Sequence, residues 1–151
     1  DVYKRQDREY IISYGKKLRE EYPNSSYASF GALFAAAAEV ENRNLSQAET
    51  SLNWILENST GRLFSSTEEG LLLTTKLRLG RVLLAQGDAG RALDFINTVD
   101  PKEFETGFAE LRGDIYVALD QLEDARDAYS VAQQAGSNSD ALRMKLQELA
   151  N

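Results

Sequence analysis

One stretch of this sequence is written twice at a distance of 33 residues, and that repetition limits what the chain can fold into. Leu79-Gly80, Leu83, Gly87-Asp88, Ala92, Ile96 and Val99 are followed by Arg112-Gly113, Tyr116, Asp120-Gln121, Ala125, Tyr129 and Ala132. Gly80 to Gly113 and Ala92 to Ala125 are both separations of 33 residues. A self-match at a period in the low thirties, with one small residue on each of two successive apolar segments, marks a helix–turn–helix repeat. Two helices crossing at close range need a contact position with almost no side chain. Gly80 and Gly113 supply it on the first helix of each unit, Ala92 and Ala125 on the second. The expectation is an all-α chain of helical hairpins.

The pattern resembles the tetratricopeptide repeat, in which Leu-Gly and an aromatic mark the first helix, and Ala, an aromatic and Ala mark the second. Gly113, Tyr116, Ala125, Tyr129 and Ala132 match it well, and Leu79, Gly80, Ala92 and Ile96 match it with Lys76 where the family favours Trp. Further back, Ala48 with Leu52 and Ile55 plays the part of Ala92, which puts Ala36 at the glycine position. Ala36 to Gly80 is 44 residues, so an insertion of about a third of a repeat follows the first unit. The resemblance implies hairpins stacked into a short right-handed solenoid. As one domain over 1–151, it divides into an N-terminal helix at 7–22, repeats at 27–58, 68–99 and 101–135, and a capping helix at 139–150. Solenoids need such a cap because the last repeat otherwise exposes an apolar face.

Local signals agree with that division. Tyr10, Ile11, Tyr14, Leu18 and Tyr22 recur at threes and fours, which predicts an amphipathic helix packing through that stripe. It stops before Pro23, since proline disfavours helical geometry in the residue preceding it. Phe30, Leu33, Phe34 and the run Ala35 to Ala38 predict the next helix, the alanines allowing close approach of a neighbour. Ser46 with Glu49, Ser66 with Glu69 and Asp120 with Glu123 read as helix caps, as does Asn138 or Ser139. Trp54, the one tryptophan, reads as packing. Stretch 58–67 is rich in Ser, Thr and Gly and reads as a loop. The helix from Leu71 to Leu84 is apolar around most of its circumference, so it is either buried on several sides or offers a face to a partner. Pro101 opens a helix, and Gly136 is placed to end one in left-handed geometry.

Composition excludes more than it selects. The chain has 151 residues, a net charge of −7, no cysteine and no histidine. No basic stripe exists to neutralise phosphates, so nucleic acid is not an expected partner. Zinc sites, cysteine or serine–histidine nucleophile pairs and imidazole acid–base chemistry all lose their usual participants. A catalytic site would have to be built from carboxylates, Lys, Tyr and Ser alone. Most of the acidic pairs, such as Glu68-Glu69 and Glu123-Asp124, sit in first helical turns where the helix dipole favours them. The expectation is a non-enzyme without cofactor or metal. Glu110 and Asp114, four apart on one helical face, would suit a cation or a basic peptide, or simply face solvent. The chain begins at Asp1 with no apolar run able to span a bilayer, and reads as an excised segment whose natural start lies upstream.

A closer resemblance within this superfamily is to the YfgM-like ancillary subunits of the bacterial SecYEG translocon. It is carried by Tyr22-Pro23-Asn24-Ser25-Ser26-Tyr27-Ala28, Leu77-Arg78-Leu79-Gly80-Arg81-Val82, Glu110-Leu111-Arg112-Gly113-Asp114 and Met144-Lys145-Leu146. The resemblance implies a periplasmic repeat domain, anchored in the inner membrane by one helix that this chain lacks. Its implied partners are the SecYEG translocon and the periplasmic chaperone PpiD, and its implied role is assistance to proteins emerging into the periplasm. In tetratricopeptide repeats the first helices line a concave groove. Carried onto this chain, the groove would hold Phe30, Leu33, Ala37 and Val40, then Leu77, Arg81 and Leu84, then Glu110, Asp114 and Val117. That mixed, largely apolar surface suits a short polypeptide segment. Arg78, Arg81 and Arg112 are assigned to salt bridges between repeats rather than to a ligand. The alternative is a self-associating scaffold with no translocon role, using the Leu72 to Leu84 helix or the N-terminal helix.

Overall fold

The computed structural model describes residues 1–59 and 66–151, without the side chains of Ser66 and Thr67. The greater part of the loop expected at 58–67 and the Ser66 cap therefore lie outside the described residues. Among the described residues there are eight α-helices and no strand. They are α1 Val2–Glu21, α2 Ser26–Glu41, α3 Leu45–Asn58, α4 Ser66–Ala85, α5 Ala89–Ile96, α6 Glu105–Ala118, α7 Leu122–Gln134 and α8 Asp140–Ala150, with a short 3₁₀ turn at Lys102–Phe104 before α6. The chain forms two compact units, Asp1–Val82 and Leu83–Asn151, with the division falling inside α4.

In the first unit α2 lies between α1 and α3 and packs on both. Its alanines make this possible. Ala28, Ala32, Ala35, Ala36 and Ala38 are all buried, and they cover more than one side of the helix. The α1–α2 contact is closest at two glycines: a Cβ added to Gly15 would sit 2.7 Å from the Gly31 carbonyl oxygen. Gly15 is the only buried residue of α1. The expected packing stripe is thereby corrected in part, because Tyr10, Tyr14 and Tyr22 are exposed while Leu18 lies against Gly31 beside the Gly15 contact. On α3, Ala48, Leu52 and Ile55 are buried as their repeat positions require. The α4 side chains Leu71, Leu73, Leu77, Leu79 and Val82 are buried as well, so that helix is enclosed on several sides rather than offering a broad apolar face.

The second unit is built on α6 and α7, whose core joins Ala109, Ala125, Tyr129, Ala132 and Leu142. Gly113 serves a defined purpose there. A Cβ on it would fall 2.3 Å from the Tyr129 ring, so the glycine makes room for the aromatic of the facing helix. Helix α8 packs on α7, burying Leu142 and resting Leu146 and Leu149 against the core.

The turns repeat with the helices. Arg43, Gly87, Asp120 and Gly136 all have positive φ, at 60°, 84°, 58° and 115°. In each, the following residue donates its amide to a carbonyl one turn back: Asn44 to Glu39, Asp88 to Leu83, Gln121 to Tyr116 and Ser137 to Ala132. This is the left-handed helix stop, which satisfies carbonyls that would otherwise lack partners. Gly87 and Asp120 are themselves 33 residues apart. Two expected caps are corrected by these turns. Asn44, not Ser46, caps α3 by accepting from the Gln47 amide at 3.3 Å. Asp120 occupies the left-handed position, and α7 starts from Gln121 with no side-chain cap. Ser139 caps α8 through the Leu142 amide at 3.1 Å.

Candidate protein-binding surfaces

The expected groove residues fall into three groups. Phe30, Ala37 and Val40 lie on one exposed side of α2, with Phe30 and Val40 38% and 41% accessible. Arg81 and Val117 are exposed on α4 and α6. Leu33 and Leu77 are only 9% and 8% accessible, so they support their helices from beneath, and Leu84 is half-buried. Consecutive residues of a helix point to different sides, and a stripe drawn by repeat position alone includes residues that turn inward.

Glu110 and Asp114 are the third group, and the chain itself engages them. Lys145 of α8 reaches Glu110 Oε1 at 3.0 Å and Asp114 Oδ1 at 2.9 Å. The Tyr129 hydroxyl donates to Asp114 Oδ1 at 2.6 Å, and the Lys145 ammonium lies 5.7 Å from the centre of the Tyr129 ring. Burial, then the hydrogen bond to Asp114, pushes the Tyr129 phenol well above its usual range. Burial alone would lower Lys145, but its hydrogen bonds to Asp114 and Glu110 outweigh it and hold the ammonium above its ordinary value. The pair that would suit a cation or a basic peptide, or simply face solvent, is instead engaged by a basic side chain from the capping helix. The sequence marks Lys145 only within the Met144-Lys145-Leu146 block and gives no sign of this pairing, since its partners lie more than thirty residues away.

A second polar cluster is buried in the first unit. Glu39 is 3% accessible. Ser51 Oγ donates to Glu39 Oε2 at 2.9 Å and accepts from Arg19 Nη1 at 3.2 Å, tying α1, α2 and α3 together. Burial raises the Glu39 carboxyl above its ordinary value, against the opposing pull of Ser51 and Arg19. Arg112 donates to the Asn97 side chain rather than forming an ion pair.

A further exposed apolar surface joins Phe30 of the expected groove to the N-terminal helix of the self-associating alternative. A shallow cavity of about 290 Å³ runs between α1 and α2, walled by Tyr10, Ile11, Tyr14, Leu18, Phe30 and Phe34 among others. The Tyr10 and Tyr14 rings stack at 5.8 Å, and Phe34 is 63% accessible. The signal was present in the sequence, as aromatic residues at helical spacing on both sides of Pro23. The glycine contact that turns them outward was not.

The arrangement offers aromatic and aliphatic surface with few charges, which suits a polypeptide chain. Among the described residues no three side chains are grouped to hold a metal ion, and no helix is long and apolar enough to cross a membrane. The chain is 31% identical over 137 residues to the ancillary SecYEG translocon subunit of Neisseria gonorrhoeae, covering 88% of this chain and 62% of that one. It is 32% identical over 127 residues to the protein of the same name from Haemophilus influenzae, covering 83% and 59%. The chain thus spans about three fifths of the length of these relatives. No solved structure matches it significantly. The model of the tetratricopeptide repeat-like domain matches residues 1–151, and the chain belongs to that family.

Proposed function

We propose that this chain is a non-catalytic protein-interaction domain, the repeat-bearing part of a translocon-associated subunit that assists secreted or envelope proteins. The observation that carries this reading is its likeness, across more than four fifths of its length, to relatives named ancillary SecYEG translocon subunits. The absence of histidine and cysteine from the sequence agrees with a binding rather than a chemical role. Attachment to the inner membrane, a periplasmic location and a chaperone partner such as PpiD belong to the same proposal.

The binding surface is the exposed side of α2, with Phe30, Ala37 and Val40 as its apolar contacts. A bound segment that reached Glu110 and Asp114 would first have to displace Lys145. Recovery of SecYEG from solubilised inner membrane tests the reading. Ala37→Glu/Val40→Glu should lower recovery about tenfold, as for loss of apolar anchors at an interface, with the helical circular dichroism of the wild type retained. Undiminished recovery with the folded variant contradicts it.

A further inference from the structure

We infer that α1 is a self-association helix: two copies of the chain pair antiparallel through the exposed tyrosine face of α1. Along that helix Tyr3, Asp7, Tyr10, Tyr14, Lys17 and Glu21 recur at alternating steps of four and three residues. This is the spacing of a heptad seam, which keeps one stripe facing a partner helix. All six are exposed, and the stripe is separate from the side on which Gly15 packs against α2.

The order of residues along the stripe is self-complementary. A two-fold axis passing the seam midway between Tyr10 and Tyr14 sets Tyr10 against Tyr14 of the second copy, and Tyr14 against its Tyr10. The same axis sets Asp7 against Lys17 of the second copy, and Lys17 against its Asp7. An isologous interface requires that each contact appear twice with its roles exchanged, and this stripe satisfies the requirement through its central four positions. Among the described residues neither Asp7 nor Lys17 has an ion-pair partner within its own chain. The aromatic cavity between α1 and α2 opens beside the seam, where it receives the rings of the opposing helix. A lipid surface is the poorer occupant. Anionic headgroups call for a cationic stripe, and here Asp7 and Glu21 flank a single lysine.

Sedimentation equilibrium of the 151-residue chain tests the inference. The wild type should associate to dimers as concentration rises. Asp7→Lys and Lys17→Asp each place like charges in two layers, and each should weaken the dimer about tenfold, on the scale of two exposed ion pairs reversed. Mixing the two variants restores opposite charges in both layers, and heterodimers should form with near wild-type affinity. Tyr14→Glu should weaken association further still. All these positions are exposed, so circular dichroism should match the wild type. A chain monomeric at every concentration overturns the inference, as does a mixture that fails to restore association. Monomers that instead bind anionic vesicles or a translocon subunit through Tyr10 and Tyr14 overturn it in favour of that occupant.

Discussion

Gly113 and Gly70 show how one methyl group can act in opposite directions within a single fold. At Gly113 an added Cβ meets the Tyr129 ring at 2.3 Å, whereas at Gly70 nothing among the described residues lies within 4 Å. Gly113→Ala should destabilise the chain by about 1–2 kcal/mol, overpacking outweighing the better helix propensity. Gly70→Ala should stabilise it by about 0.5–1 kcal/mol. Urea unfolding of both variants checks the pair. The 33-residue period revealed Gly113 because a residue that must stay small for packing recurs wherever that packing recurs. Gly15 and Gly31 also make a close contact, but they have no counterpart at the repeat distance and so carry no periodic signal. Glu39 is the other residue whose environment decides its behaviour. Burial raises its folded-state pKa above the ordinary 4.5. The stability it contributes is therefore fully present below pH 4.5 and is lost as pH rises through the raised value. Glu39→Gln keeps an acceptor for Ser51 without that loss, so the variant should gain on the wild type in denaturation between pH 4 and pH 7. A difference that stays constant across this range would contradict the burial argument.

Among the elements, the turns and the last helix carry the most testable content. Positive φ at Arg43 and Asp120 stands where Gly87 and Gly136 stand in the other turns. Asp tolerates that conformation through local hydrogen bonding, while Arg does not. Arg43→Gly should therefore stabilise by about 0.5–1 kcal/mol, read from a shift in the thermal midpoint. These turns also explain why residue type alone misplaces some helix starts. Ser46 and Asp120 have the residue types of caps, but the left-handed stop shifts the start of the next helix, so Asn44 caps α3 and Gln121 precedes α7. Helix α8 is held by Leu142 in the core and by Lys145 on Glu110 and Asp114. Lys145→Met should cost about 1 kcal/mol and speed amide exchange in α8. Because the ammonium is held above its ordinary value of 10.5, this contribution is complete below pH 10.5 and lost only as pH rises beyond its raised value. The pairing was not legible in advance, since periodicity describes one helix at a time and Lys145 acts across two.

For the whole molecule, a family of helical repeats explains both what was anticipated and what was not. The hairpins, their small contact residues and the enclosed α4 follow from a pattern that any one repeat states incompletely and its neighbours complete. The exposed aromatic face of α1 and α2 follows from two glycines bringing those helices together, leaving Tyr10, Tyr14 and Phe34 outside the contact. A functional surface is harder to read than a core because exposure depends on which neighbour each side meets, while burial of a period-matched residue is required by the repeat itself. Within the proposed role the exposed side of α2 is the part that touches a partner. A photo-crosslinking residue placed at Val40, with Glu57 on α3 as the exposed control position, tests this most directly on inner-membrane vesicles. An adduct with a translocon subunit should form from position 40 and none from position 57. Equal adducts from both positions, or none from position 40, would contradict it.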